Sequence, residues 1–314
     1  NLSKLVLMSI EDISLQIQRY IKKTNWDSQE NLRMSKVVIH YCKLMNITIL
    51  SYDDINYPEL LRQTDNPPFV LYCRGDYSLL VNKSVSVVGS RRVSFAGRKA
   101  AFSFGYDAAI DGCNVVSGLA NGVDGFVHQG AIEAYFDSYE KGIDSKKIGR
   151  TIAVLPSSID DISPINHKKL AEKILQTGGC IISEYEPKLP YAKWHYVERN
   201  RIIAALSPAT VVIEAPAGSG SLITADFAVD YNRDVVFHEV AFSQQANEIA
   251  NVVRNDLVKK HAKGTVSTYK IENTPQKFLD SGASVVKDYK DYCDFLVEIP
   301  GLRIKEDIQS SLFD

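Results

Sequence analysis

Between residues 84 and 237 the chain alternates short, continuous β-branched runs with longer stretches of helical spacing. The runs 85–88, 114–116, 151–155, 180–182, 210–213 and 234–237 lack the every-second-residue polarity of a half-exposed strand. They predict strands buried on both faces. The stretches 97–110, 123 to about 135, 168–175, 198–206 and 222–231 predict the helices between them. This alternation predicts an α/β fold: an extended Rossmann-like, doubly wound and mostly parallel sheet. The loops at the carboxyl ends of its strands would form the ligand face.

The flanking regions follow other patterns. In residues 1–52, Ile13, Ile17, Tyr20 and Ile21 recur at helical spacing, as do Val37, Val38, Tyr41 and Leu44. A small helical domain (SAM- or helix-hairpin-helix-like) is expected there. Residues 53–82 contain Tyr57-Pro58 and Pro67-Pro68 and read as an extended connector, with a short strand at 69–72 before Arg74-Gly75-Asp76. The main domain runs over 83–297. Within it, 137–149 reads as a charged surface insertion. Residues 243–276 read as a polar excursion holding an amphipathic helix at 246–258, and 278–295 as the completion of the sheet or its cover. Residues 298–314 are expected to be a loosely packed tail.

Composition narrows the classes. The cysteines (Cys42, Cys73, Cys113, Cys180, Cys293) are odd in number, scattered and free of any C-x-x-C. That argues against a disulfide framework or a zinc site and predicts a reducing, cytoplasmic setting. No apolar run reaches the roughly 18–20 residues that span a bilayer, so no membrane role is expected. Net charge is −2, so any nucleic-acid role must come from a local cluster of positive charge.

The candidate chemistry is phosphate binding. Gly89-Ser90-Arg91-Arg92 follows the first strand of the main domain, and Ser117-Gly118 follows the second. Gly218-Ser219-Gly220-Ser221 opens a helix after Glu214. Strand-to-helix turns of this kind offer free N–H groups and a favourable helix dipole to an anion. Arg199 and Arg201, either side of Asn200, add guanidiniums that can hold phosphates bidentately. Residues two apart cannot share one helical face, so one of the two is expected to be buried and structural. Trp194 and Tyr196 beside them could stack bases.

Asp124 is expected to cap its helix, His128 to be structural, and Glu184 to organise the neighbouring arginines. The pattern is not G-x-G-x-x-G, and G-K-[ST] is missing, so neither a dinucleotide cofactor nor a nucleotide-hydrolysing loop is expected. No metal-ligand cluster or catalytic constellation is recognisable. The residues suit binding phosphate and not reacting with it.

Taken in order, these segments resemble the DNA-processing protein A (DprA, also called Smf) family. The resemblance runs from about Tyr57 to Tyr292. It rests on Tyr57-Pro58, the stretch 68–75, Val88-Gly89-Ser90-Arg91, and Ser117-Gly118-Leu119-Ala120 with Gly122, Asp124, His128, Gly130 and Ala131. Further on it includes residues 151–155, Ser183-Glu184, Arg199-Asn200-Arg201-Ile202-Ile203-Ala204, Glu214 with residues 219–225, and Gly282-Ala283. The resemblance implies a homodimer that binds single-stranded DNA, protects it and loads RecA in recombination or natural transformation, with no catalysis and no cofactor. Carried over, Gly89, Ser90 and Arg91 would cradle a phosphate, Arg199 and Arg201 would add charge, and residues 219–221 would line the same edge.

Several positions depart from the family pattern. Pro156 stands where Gly is usual, Ile162-Ser163-Pro164 replaces a Tyr-Pro, and Val197 replaces the Pro before Arg-Asn-Arg. The excursion from Val240-Ala241-Phe242 replaces a Pro-Gly. The winged-helix domain at the C-terminus of some members is not recognisable in residues 298–314. The alternative is an enzyme or sensor for free nucleotides, similar to nucleoside-monophosphate phosphoribohydrolases, drawn from Glu214 upstream of Gly218–Gly220.

Overall fold

The structure is a computed structural model that describes residues 27–298. The helix expected around Ile13 to Ile21 and the tail from residue 299 lie outside the described residues. The chain divides into two compact units, 1–49 and 50–314. In the first, α1 (Ser28–Leu44) begins where the Asp27 carboxylate accepts hydrogen bonds from the Gln29 and Glu30 N–H groups at 3.0 Å. Such a cap satisfies donors that have no partner inside the helix.

Strand β1 (Thr48–Ser51) spans the junction. In the second unit come α2 (Glu59–Arg62), β2 (Val70–Gly75), β3 (Ser84–Val88), α3 (Phe95–Ile110), β4 (Asn114–Ser117), α4 (Val123–Glu140) and β5 (Thr151–Val154). They are followed by α5 (Lys168–Gln176), β6 (Cys180–Ser183), α6 (His195–Ala205), β7 (Ala209–Val212), α7 (Gly220–Asp230) and β8 (Asp234–His238). The excursion contributes α8 (Gln244–Ala262) and α9 (Thr268–Glu272). Helix α10 (Pro275–Asp280), β9 (Ser284–Val286) and α11 (Tyr289–Glu298) close the described chain.

The strands form one 9-stranded sheet in the order β1-β2-β6-β5-β4-β3-β7-β8-β9. From β6 through β9 every neighbouring pair is parallel, while β2 runs antiparallel to β6. Every residue of β3 to β7 is buried, as continuous apolar runs require when helices cover both faces. On one face Ile202, Ile203, Leu222 and Ala225 of α6 and α7 pack with Val88, Val116 and Val212. On the other, Phe104, Val127 and Ala131 of α3 and α4 pack with Val85, Val115 and Tyr292. The result is a three-layer α/β/α fold.

Two expectations change. Residues 53–82 are more than a connector: β2 enters the sheet with Tyr72 opposite Ser183, and Tyr57 and Leu61 join the core. Residues 137–149 are an insertion only in their second half, because α4 continues through Glu140.

The chain order explains where a ligand would sit. From β3 it winds to one side through β4, β5 and β6. It then returns through α6 to place β7 on the other side of β3. The carboxyl ends of β3 and β7 are therefore the topological switch point, the usual ligand crevice of doubly wound sheets.

Candidate functional site

The turn after β3 is held by its neighbours. The Ser90 N–H donates to the Glu214 carbonyl at 2.6 Å, and the Val123 N–H donates to the Ser90 carbonyl at 3.2 Å. The Arg92 N–H donates to Ser90 Oγ at 3.1 Å. Glu214 is buried; its two carboxylate oxygens accept from the Ser94 N–H at 2.8 Å and the Ser94 hydroxyl at 2.6 Å. Ser94 also caps α3, accepting from the Gly97 N–H at 2.9 Å. Glu214, just after β7, thus fixes both ends of the β3 turn, the Ser90 end through its main-chain carbonyl and the Ser94 end through its carboxylate.

Gly122 makes the adjoining turn possible. It has φ +88, where an L side chain is strained, and a Cβ there would collide with the Ser90 carbonyl and reach Arg91 Cα at 2.8 Å. With this shape fixed, the Arg91 side chain is exposed and its guanidinium lies 5.1 Å from the Tyr196 ring centroid. Among the described residues it has no carboxylate partner.

The second glycine turn departs from expectation. The Gly118 and Ala120 N–H groups donate to the Asp124 carboxylate at 3.1 and 3.3 Å, and the Ser117 hydroxyl donates to the Val87 carbonyl at 2.7 Å. Ser117 and Gly118 are therefore engaged inside the protein. Asp124 closes this loop and does not cap α4, whose N-cap is Gly122. The reason is position: Asp124 lies within the first turn, so its carboxylate folds back onto the loop.

Arg199 explains why Asp124 is there. It is buried, and its Nη1 donates to the Gly118 carbonyl at 2.6 Å and to the Val154 carbonyl. Burial lowers its pKa to about 10, and the nearby Asp124 carboxylate pulls the other way. Burial also raises the Asp124 pKa, against the attraction of Arg199 and the two N–H donors. Desolvation outweighs attraction for both groups. Asn200 carries the link further, donating to the Gly220 carbonyl at 3.1 Å. Through Arg199 and Asn200, α6 ties together the ends of β4 and β5 and the start of α7.

Arg201 is buried as well. Its Nη2 donates to Glu184 at 2.5 Å, and its Nε sits 3.7 Å from Glu198. The expectation that one of the two arginines is structural thus understates the case, since both guanidiniums face protein acceptors. Helix α6 starts at His195, and from it Arg199 reaches the ends of β4 and β5 while Arg201 reaches Glu184 after β6.

His128 is fully buried, with Nδ1 2.5 Å from Thr151 Oγ1. The Thr151 hydroxyl donates to the Val115 carbonyl at 3.2 Å, so it accepts from His128 Nδ1–H. That leaves Nε2 unprotonated and without a hydrogen-bond partner. Burial, with His167 and Arg199 nearby, lowers the His128 pKa to about 3.

What remains at the surface is a cationic and aromatic rim. Trp194 is 60% exposed and Tyr191 45%. Trp194 packs edge-on against His195 at 4.2 Å, His195 stacks on Tyr185 at 3.8 Å, and Tyr191 meets Tyr196 at 5.6 Å. The Tyr196 hydroxyl shares a 2.9 Å hydrogen bond with Ser163. At the start of α7, the Ser219 hydroxyl accepts from the Ser221 N–H at 3.2 Å, and Gly218 has φ +65.

Tyr185, Tyr191 and Ser94 escaped the sequence reading. The density of aromatics over 185–196, and a serine ahead of a helical run, were the available signals. No group of His, Cys, Asp and Glu among the described residues could hold a metal ion.

Fold and rim together define a doubly wound α/β protein with an exposed arginine turn and an aromatic flank at its switch point. The family described as DNA recombination-mediator protein A matches residues 48–294. Protein Smf of Borreliella burgdorferi is 33% identical over 241 residues, 76% of this chain and 69% of that protein. Protein Smf of Escherichia coli is 34% identical over 190 residues, 60% of this chain. The chain spans about half of the E. coli protein's length (47%).

Two solved structures share the fold. DprA from Streptococcus pneumoniae aligns with a TM-score of 0.62 at 23% identity, over 92% of each chain. DNA processing protein A from Helicobacter pylori, described for its single-stranded DNA binding mode, aligns with a TM-score of 0.54 at 28% identity. That match covers 75% of this chain and 96% of the other. The chain belongs to the DNA recombination-mediator protein A family, also called DprA or Smf.

Proposed function

We propose that this chain binds single-stranded DNA along the rim formed by Arg91, Arg92, Trp194, Tyr196 and the turn Gly218–Ser221. Phosphates would meet the two exposed guanidiniums and the N-terminal end of α7, while bases would stack on the aromatic flank. Gly89, Ser90 and Glu214 would hold Arg91 in place. Arg199, Asn200, Arg201, Asp124, His128 and Glu184 would hold the loops that carry the rim. In keeping with the family, the bound strand would be protected and delivered to RecA by a homodimer in the cytoplasm, without catalysis.

The observation that carries this reading is Arg91, which is exposed, unpaired with any carboxylate among the described residues, and seated over Tyr196. The nucleotide-hydrolysing alternative would use Glu214, but both of its carboxylate oxygens are already bound by Ser94.

The test is fluorescence anisotropy of a labelled single strand of roughly 35 nucleotides against its duplex, at two salt concentrations. If about four phosphates are neutralised, log K should fall with log salt at a slope near −3, from about −0.7 per phosphate. Preference for the single strand with that slope supports the reading. Equal, weak binding to both forms contradicts it.

A further inference from the structure

A cavity of about 310 Å³ lies beside the turn after β3 and reaches Arg92 of that turn. Its floor is the stretch from Glu214 to Ala217 after β7, and its roof is α8 of the excursion. Phe242, Ile249 and Pro275 give it apolar walls, Asn247 and Asn251 add amides, and Arg92 and Arg254 line it from opposite elements. Neither guanidinium has a hydrogen-bond or ion-pair partner among the described residues.

The enclosure is anchored. The Gly218 N–H donates to the Asn273 carbonyl at 2.9 Å. Asn273 Nδ2 and the Tyr269 hydroxyl both donate to Asp226 of α7. Helix α8 is capped by Ser243, whose hydroxyl accepts from the Ala246 N–H at 3.2 Å.

We propose that this cavity binds a nucleoside 5′-phosphate. Two unpaired guanidiniums suit a phosphate dianion, which each can contact with two N–H groups. The apolar walls suit one base, and the side-chain amides suit its polar edge. The volume sits at the small end of ligand pockets, about 300–1,000 Å³, so it fits one nucleotide and not a dinucleotide. Its place beside the crevice of β3 and β7 is where doubly wound folds hold phosphorylated ligands. The nucleotide is either free or the 5′-terminal residue of a strand. The second source rests on the strand-binding reading above; the first does not.

Calorimetric titration of the full chain with thymidine and deoxyadenosine 5′-monophosphates tests this directly. One saturable site is expected for at least one of them, with thymidine and inorganic phosphate each weaker by roughly tenfold or more. The Arg254→Ala substitution, on an exposed helix face, should weaken the nucleotide about tenfold and leave a 5′-hydroxyl strand bound as before. The Arg91→Ala substitution should do the reverse, so failure of the rim and failure of the cavity are distinguishable.

A 5′-phosphorylated strand compared with its 5′-hydroxyl twin separates the sources. Tighter binding that Arg254→Ala abolishes identifies the strand end, and equal binding identifies the free nucleotide. Absence of binding by either monophosphate, or binding that Arg254→Ala leaves unchanged, overturns the proposal.

Discussion

Arg91 and Arg92 on the turn after β3 carry the same cation as Arg199 and Arg201 on α6, yet the two pairs live in opposite environments. The first pair is exposed. The second is buried, with relative exposures of 4% and 5%. A buried guanidinium loses hydration and persists only because acceptors replace the water. For Arg199 these are the Gly118 and Val154 carbonyls; Arg201 has the Glu184 carboxylate at Nη2, while its Nε and Nη1 are buried without a hydrogen-bond partner. The exposed pair has no such internal partners and is free for a ligand. Arginine at this sheet edge therefore divides between shaping loops and facing solvent, and only burial tells the two apart.

The comparison breaks most visibly at Arg199. Replacing it with Ala leaves the Gly118 and Val154 carbonyls without their donor and the buried Asp124 carboxylate without its nearby cation. Removal of one partner from such a buried network costs about 3–5 kcal/mol. Urea denaturation should show that loss, or no folded protein. A stable Arg199→Ala protein would mean that the buried arginine is dispensable.

Glu214→Ala comes next. It leaves the buried Ser94 N–H and hydroxyl unpaired, at a cost of about 2–3 kcal/mol. Because Ser94 ends the Arg91 turn, strand affinity should fall with stability, which calorimetry and anisotropy can follow together.

Acid sharpens the contrast between buried and exposed groups. The native His128 ring has a pKa of about 3 against an ordinary value of 6.5. As pH falls below 6.5, the unfolded chain takes up a proton that the native ring, facing Arg199 and His167, refuses. Stability attributable to His128 is therefore full above pH 6.5 and declines as pH falls toward 3. At pH 5 the loss is about 2 kcal/mol. The difference in denaturation free energy between wild type and His128→Asn should shrink by that amount from pH 7.5 to 5. A constant difference would contradict the assignment.

Trp194→Ala should have the smallest effect, about 1 kcal/mol of strand affinity with unchanged stability, since the ring is already 60% exposed. Titrating the variant with the labelled strand checks it.

Much of the fold was legible because parallel strands leave continuous β-branched runs. The expected strands 85–88 and 180–182 fall within β3 and β6, each differing by one residue. Strand β2 was harder to place in the sheet. Its partner β6 is distant in sequence, with Tyr72 opposite Ser183, and a half-buried pattern does not name its neighbour. The glycine turns at the carboxyl ends of β3 and β7, where the candidate site is placed, were legible as strand-to-helix junctions. The site's internal division was not, because a charged residue in sequence carries no mark of burial. Asp124 shows the same limit: proximity to a helix start suggested a cap, while packing sent its carboxylate to Gly118 and Ala120. The excursion helix was visible as amphipathic spacing, but its role as a roof depends on which turn it covers.

On this reading the exposed pair serves the ligand and the buried pair serves the fold. The most direct measurement is strand affinity together with the urea midpoint of the Arg91→Ala variant. The expected result is a loss of most single-strand affinity, a salt slope shallower by about 0.7, and a stability within about 0.5 kcal/mol of wild type. Affinity and slope equal to wild type would contradict that reading.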